Sequence, residues 1–173
     1  MKKILYMLLF FVSVLCNAQT KPKDVFDVAR SGTVDEMKAL VQQKKDTINA
    51  INQSQFSPLI LACYRGNTPV AEYLAKNVKD INYNSPSGSA LAAAAVKGNT
   101  ALVKVLLENK ANPDLADATG MTPLLYASQF ENKELIQLLL KYKANKKLAN
   151  NDGKSAMDFA VFNKNQEIID MLK

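Results

Sequence analysis

Residues 117–128 read Asp-Ala-Thr-Gly-Met-Thr-Pro-Leu-Leu-Tyr-Ala-Ser, and the pattern around their Thr-Pro-Leu returns about every 33 residues. The apolar anchors that align with its leucine are 34, 32, 33 and 33 residues apart. These anchors are Val25, Leu59, Leu91, Leu124 and Met157. A fixed period of this size is typical of a stacked array of small units, none of which can bury its apolar face alone. The period predicts a solenoid and favours a binding role over catalysis.

Each unit predicts two short helices joined by a tight turn. A hydroxyl residue suited to cap a helix precedes four of the five anchors, and Pro follows it twice. These caps are Ser57, Ser89, Thr122 and Ser155; in the first unit Asp24 and Asp27 take that role. Gly66-Asn67 and Gly98-Asn99 predict a left-handed turn at the end of the first helix. Apolar residues at helical spacing, such as Leu102, Val103, Leu106 and Leu107, predict the second helix.

The stretches 98–114 (Gly-Asn-Thr-Ala-Leu-Val-Lys-Val-Leu-Leu-Glu-Asn-Lys-Ala-Asn-Pro-Asp) and 117–128 resemble ankyrin repeats. The resemblance covers roughly residues 24–173 and implies an all-α ankyrin-repeat solenoid of about five helix-turn-helix units with short hairpin-like turns. The units are about 24–54, 55–86, 87–119, 120–152 and 153–173. The family's His after Pro-Leu is absent, its Gly after the second helix is replaced by Lys44, Val78, Lys110 and Lys143, and the turn before the third unit is one residue short.

Residues 1–18 differ in kind from the rest and predict a secretory signal peptide. Lys2 and Lys3 precede a 13-residue apolar stretch, 4–16, which is too short to span a membrane. We expect cleavage after Ala18, a short linker over 19–23, export to the bacterial periplasm and no transmembrane segment in the mature form. The alternative is a lipoprotein anchored through Cys16, which Leu15 disfavours because a small residue usually precedes such a cysteine.

The composition restricts the chemistry available to this chain. There is no His, so Ser-His-Asp or Cys-His relays and His-ligated metal sites are excluded. We therefore expect no catalytic, cofactor-binding or metal-binding residues. The formal charge of +6 falls to +4 without Lys2 and Lys3, and the remaining charges are interspersed, which argues against nucleic-acid binding. Only Cys63 remains after cleavage, and we expect its thiol to be buried and inert. We also expect the protein to be a monomer.

The remaining candidate is a surface that binds another protein. In ankyrin repeats the variable positions lie before the helix turn and at the hairpin tips, on the concave side. The matching positions here are Phe56, Tyr64, Arg65, Tyr83, Val96, Lys97, Met121, Gln129, Phe130, Lys154 and Phe162. Aromatic and Arg side chains often anchor interfaces. The resemblance thus implies capture of an unidentified protein partner.

Three alternatives stay open at this point. Phe130 and Phe162 could fold back as core rather than bind. The protein could also inhibit a secreted enzyme, as an immunity factor does, or it could associate with the envelope or a small ligand. A fold of this kind does not by itself distinguish these functions.

Overall fold

The computed structural model describes residues 22–173, so the predicted signal peptide and residues 19–21 lie outside the described residues. Within 22–173 the chain forms ten α-helices in five consecutive pairs. The pairs are α1 (Val25–Ser31) with α2 (Val34–Gln43), α3 (Pro58–Arg65) with α4 (Thr68–Asn77), α5 (Ala90–Val96) with α6 (Thr100–Glu108), α7 (Pro123–Gln129) with α8 (Lys133–Lys141), and α9 (Ala156–Phe162) with α10 (Gln166–Leu172). This arrangement confirms the predicted all-α solenoid.

The helices begin where the sequence predicts, because each first helix has a side chain that caps its free amides. Asp24, Ser57, Ser89, Thr122 and Ser155 all accept a hydrogen bond from a backbone N–H of the first turn. Asp24 with Asp27, and Ser155 with Asp158, form reciprocal capping boxes. The first unit is therefore capped by a carboxylate, as predicted. A 3₁₀ helix over Lys45–Asn49, which no sequence signal indicated, follows α2.

The turn between the two helices is left-handed in units 2 to 5, but only two units place a glycine there. Gly66 and Gly98 have φ of 73° and 64°, as predicted. Glu131 and Lys164 hold the same turn at φ of 55° and 56°, where a side chain is strained. Lys110 and Lys143, which replace the family's glycine after the second helix, are also left-handed. Units 4 and 5 thus keep the geometry without the residue that favours it.

The hairpins between units extend from the helix pairs and contact one another. Three of them close across three residues, with backbone bonds that join Asn52 to Phe56, Asp117 to Met121, and Asn150 to Lys154. The hairpin before unit 3 closes across two, as β1 (Asn84–Ser85) pairs antiparallel with β2 (Gly88–Ser89). The turn before unit 3 is therefore one residue short because its hairpin tip has one residue fewer than the others.

The units stack so that the helices form two layers. The first helices (α1, α3, α5, α7 and α9) pack on one another in order, and the second helices pack in the same order but less extensively. Small buried residues such as Ala62, Cys63, Ala94 and Ala95 allow the close approach in the first layer. A stack that is tighter in one layer curves towards it. The first helices and the hairpins therefore line the concave face.

One continuous apolar core runs through all five units. Its largest fully buried side chains come mostly from the second helices, among them Met37, Leu74, Leu106, Leu139 and Ile168. Cys63 belongs to this core, as predicted, and burial raises the pKa of its thiol far above the ordinary range. The thiol is therefore held in its unreactive, protonated form.

Candidate functional site

Two positions of every first helix face the concave side. They lie two and five residues after the anchor, and a spacing of three places them on the same helix face. The first set is Asp27, Leu61, Ala93, Tyr126 and Phe159; the second is Arg30, Tyr64, Val96, Gln129 and Phe162. Most of the predicted binding residues belong to the second set or directly follow one of its members. The repeat geometry therefore explains why they share one face.

The predicted binding residues differ in how much surface they offer. Seven are exposed: Tyr64, Arg65, Lys97, Gln129, Phe130, Lys154 and Phe162. Phe56, Tyr83 and Val96 are half-buried, and the Tyr83 hydroxyl donates to the backbone oxygen of Gln55 at 3.0 Å. Met121 is only 7% exposed and packs in the core. The sequence therefore places Met121 wrongly on the accessible surface, because its hairpin folds back against the helices.

A groove of about 530 Å³ opens on the concave face across units 1 to 4. We call it the arginine groove. It is lined by Arg30, Asn52, Ser54, Phe56, Ile60, Leu61, Tyr64, Arg65, Ser87, Ala93, Val96 and Tyr126. Its volume lies within the range of pockets that hold small ligands or peptide side chains. Four of the predicted residues, Phe56, Tyr64, Arg65 and Val96, are brought together here.

The charge of the arginine groove is one-sided. Among the described residues that line it there are two arginines and no Asp or Glu. Arg30 forms an ion pair with Asp27 at 3.2 Å, which offsets part of its charge. No carboxylate within 22–173 lies within 4 Å of the charged nitrogens of Arg65. Arg65 therefore presents an uncompensated guanidinium at the groove.

The aromatic side chains of the groove are held in place by polar contacts. The Lys97 ammonium lies 4.4 Å from the centre of the Tyr64 ring, a distance that gives a favourable cation–π interaction. The Tyr126 hydroxyl donates to Asp117 Oδ2 at 2.5 Å. Its ring stacks on Phe130 with centroids 6.4 Å apart. Both tyrosines are therefore oriented before any ligand arrives.

The Tyr126–Asp117 contact shifts the pKa of both groups in opposite directions. Burial, together with the hydrogen bond to the carboxylate, raises the pKa of Tyr126 to about 12. Burial alone would raise the pKa of Asp117, but hydrogen bonds from Tyr126, Thr119 and the Met121 amide outweigh it and lower the pKa. The pair is a hydrogen-bonded neutral phenol and carboxylate at neutral pH.

The concave surface of units 4 and 5 has a different character. Phe130 is 56% exposed and Phe162 is 82% exposed. We call these two residues the aromatic edge. Their exposure removes the alternative that Phe130 and Phe162 pack as core. Beside them lies a second cavity of about 490 Å³, whose lining includes Phe162 together with Lys154 and Asp158. This half of the face thus carries charges of both signs.

Two residues that help to form the site were not predicted from the sequence. Arg30 occupies the same repeat position as Tyr64, and Tyr126 occupies the same position as Leu61 and Ala93. Arg30 lies five residues after the anchor Val25, so including the first unit among the candidate positions would have identified it. Tyr126 could have been predicted only if positions three residues apart on the first helix had been expected to line the same groove.

Residues 22–173 contain no group of three or more acidic or cysteine side chains placed to hold a metal ion. In the same range, no helix has both the length and the apolar character needed to cross a bilayer.

Comparison with known proteins gives a consistent family. The family model for ankyrin repeats (3 copies) matches residues 25–117 and 91–173. Similar proteins include "Protein fem-1 homolog A-like" of Mus musculus (33% identity over 51% of this chain), "Ankyrin repeat and SAM domain-containing protein 6" of Rattus norvegicus (30% over 57%) and "26S proteasome non-ATPase regulatory subunit 10" of Dictyostelium discoideum (32% over 51%). The matched segments span only 14%, 11% and 39% of those proteins' own lengths.

Proposed function

Because this chain belongs to the ankyrin-repeat family, we propose that it is an exported, non-catalytic module that captures a protein partner on its concave face. Ankyrin repeats are protein–protein interaction modules, and the partner and the export step are what the proposal adds. The observation that supports the concave face most directly is the arginine groove. It combines two arginines and three aromatic side chains in one concavity with no lining carboxylate among the described residues.

The proposal predicts that a partner contacts Tyr64 and not the second-helix layer. A photo-crosslinking amino acid placed at Tyr64 should yield a covalent adduct in the native cells. The matched control is the same amino acid at Lys104, which is exposed on α6 and points away from the concave face. Adducts at both positions in equal yield, or none at Tyr64, would contradict the proposed surface.

A substitution separates binding from folding. Tyr64 is 49% exposed, so Tyr64→Ala should leave the melting temperature nearly unchanged, while capture of the crosslinked partner is lost. Phe130→Ala should behave in the same way, since that ring is also exposed. A variant that binds as well as the original chain would remove that residue from the interface.

Export is proposed on the basic start and the apolar stretch 4–16. Fractionation of the cells followed by N-terminal sequencing should give a mature protein that begins at Gln19, in a soluble envelope fraction and as a monomer by light scattering. A lipid-modified N-terminus at Cys16 would support the anchored alternative. An intact Met1 in the cytoplasm would contradict export.

A further inference from the structure

We infer that the arginine groove selects an acidic peptide segment, in which carboxylates flank an apolar side chain. This inference rests on the proposed function, because it assumes that the concave face binds a protein partner. It adds the chemistry of the segment that the groove receives. Three independent features of the groove carry it: the distribution of arginine, the uncompensated charge and the apolar floor.

Both arginines of this chain line the arginine groove. The chain has 22 basic residues, and only Arg30 and Arg65 are arginines. All other basic residues are lysines, so a need for positive charge alone does not explain why these two positions carry arginine. Arginine differs from lysine in presenting a planar fork of donors that matches a carboxylate at two points. Its confinement to the groove points to carboxylates as ligands.

The positive charge at the groove is available to a ligand. Arg65 has no ion pair within residues 22–173, and the carboxylate on Arg30 occupies only part of its donor set. Lys97 adds a third cation over the Tyr64 ring, and it has no carboxylate within 4 Å in the described part of the chain. A cation that is already fixed against a ring loses less side-chain freedom when it pairs with an anion. The groove is therefore positioned to attract negative charge.

The floor of the groove is apolar and fits a side chain rather than a free anion. Ile60, Leu61 and Ala93 are buried beneath it, and Val96 and Phe56 form half-buried walls. A ligand that offered only charge would leave this apolar surface exposed to water. A peptide that carries Leu or Phe between two carboxylates satisfies both parts, because the apolar side chain covers the floor and the acids reach the arginines. Asn52, Ser54 and Ser87 at the hairpin tips provide neutral polar partners for its backbone.

Charge disfavours two other occupants. A second copy of this chain is itself basic, with a formal charge of +6 for the full sequence. The chain's own residues 1–21 contain Lys2, Lys3 and Lys21 and no acidic residue. Neither complements a cationic groove. An acidic segment of a different protein does.

The test uses three fluorescein-labelled nonapeptides that share a central Leu-Phe pair and differ only in their flanks, which are glutamate, glutamine or lysine. Fluorescence anisotropy with the exported chain should show the glutamate peptide binding at least about tenfold more tightly than the glutamine peptide, and the lysine peptide not at all. The variant Arg65→Gln should weaken the glutamate peptide about tenfold and leave the glutamine peptide unchanged. Lys104→Gln, a matched loss of charge on the second-helix layer, should change neither.

Several results would overturn the inference. These are tighter binding of the glutamine or lysine peptide, an affinity for the glutamate peptide that Arg65→Gln does not alter, or no binding of any peptide. Displacement of the glutamate peptide by equimolar inorganic phosphate would indicate a simple anion site, and displacement by a thymidine oligonucleotide would indicate nucleic-acid binding. If these tests fail while the crosslink at Tyr64 still forms, the proposed function stands and only the acidic selectivity is wrong. Because Arg65 is exposed, an unchanged melting temperature of Arg65→Gln verifies that the variant is folded.

Discussion

Units 2 to 5 all contain the same helix pair. Units 2 and 3 nevertheless differ from units 4 and 5 in the residues of the helix turn and in the concave surface. The first two hold their helix turns with Gly66 and Gly98, and their concave side forms most of the arginine groove. The last two hold the same turns with Glu131 and Lys164, and their concave side is the exposed aromatic edge. The repeated positions therefore specify the stack, whereas the positions between them vary from unit to unit and determine the surface.

Unit 5 differs from the other units in its surroundings. Within residues 22–173, units 2, 3 and 4 each pack between two other units, whereas unit 5 packs against unit 4 alone. α9 is the last first-layer helix, and its residue Val161 is exposed where the equivalent Ser128 is fully buried. In a stack of this kind stability comes from each unit and from its contacts with its neighbours. We therefore expect substitutions in the middle to cost more than equivalent ones at the end.

The largest effect should come from the core of unit 3. Leu106 is fully buried, and Leu106→Ala should reduce the free energy of unfolding by about 3 kcal/mol because it leaves a cavity. Leu172 stands at the equivalent position of unit 5 and is 4% exposed, and Leu172→Ala should cost only about 2 kcal/mol because one neighbouring unit packs against unit 5 within residues 22–173. Urea unfolding followed by circular dichroism measures both. Equal losses would show that position in the stack does not govern stability.

The next effect concerns a contact between units. The Asn67 amide donates to three backbone oxygens of unit 1, those of Val28, Ala29 and Gly32, at 3.0–3.3 Å. Asn67→Asp removes these donors at constant size and should cost about 2 kcal/mol. The matched change Asn165→Asp affects an exposed contact with Glu131 and should cost less than about 1 kcal/mol. Melting curves that rank the two variants the other way would contradict the structural role of Asn67.

The third effect tests the contact between Tyr126 and Asp117, where the groove meets the aromatic edge. Tyr126→Phe removes one hydrogen bond and should cost about 1 kcal/mol at pH 7. Because the pKa of Asp117 is lowered on folding, its contribution is fully present above the ordinary Asp pKa and is lost as the pH falls through the lowered value. The difference in unfolding free energy between the two proteins should therefore shrink below about pH 4. A difference that stays constant down to pH 2 would show that the carboxylate does not titrate with this bond.

The same pair should respond to alkali in the opposite sense. The raised pKa of Tyr126, about 12, means that its contribution is intact below the ordinary Tyr pKa and declines as the pH rises through 12. The original chain and Tyr126→Phe should converge in stability there.

The smallest effect lies in the helix turns. Lys164→Gly relieves a left-handed side chain and should raise the free energy of unfolding by about 0.5 kcal/mol. Gly98→Ala introduces the same strain into unit 3 and should lower it by about 1 kcal/mol. If the two substitutions shift the melting temperature in opposite directions, the turn geometry is common to both halves. Two losses would indicate that Lys164 has a stabilising contact that offsets its strain.

Most of the fold could be predicted from the sequence because its signals recur. The caps at Ser57, Ser89, Thr122 and Ser155 and the turns at Gly66 and Gly98 recur at fixed positions of the period. The shortened hairpin before unit 3 was evident as a departure from that period. The 3₁₀ helix Lys45–Asn49 was not readable, because it occurs in one unit only.

The surface was predictable only in part. Tyr64, Arg65 and Phe162 were identified as accessible from the repeat register alone. The burial of Met121 was missed because it depends on how its hairpin folds onto neighbouring units. Arg30 was missed because the candidate helix positions were taken from units 2 to 5 alone, although the anchor Val25 fixes the register of the first unit. The one-sided charge of the groove is a property of four units together, and no single stretch of sequence displays it.

The most direct measurement of the central claim is amide hydrogen exchange of the exported chain, alone and with its crosslinked partner. The account predicts slowed exchange at the hairpin 52–56 and at the ends of the first helices around 64–65 and 96–97, with α4 and α6 unchanged. Protection of the second helices, or protection confined to units 4 and 5, would contradict it.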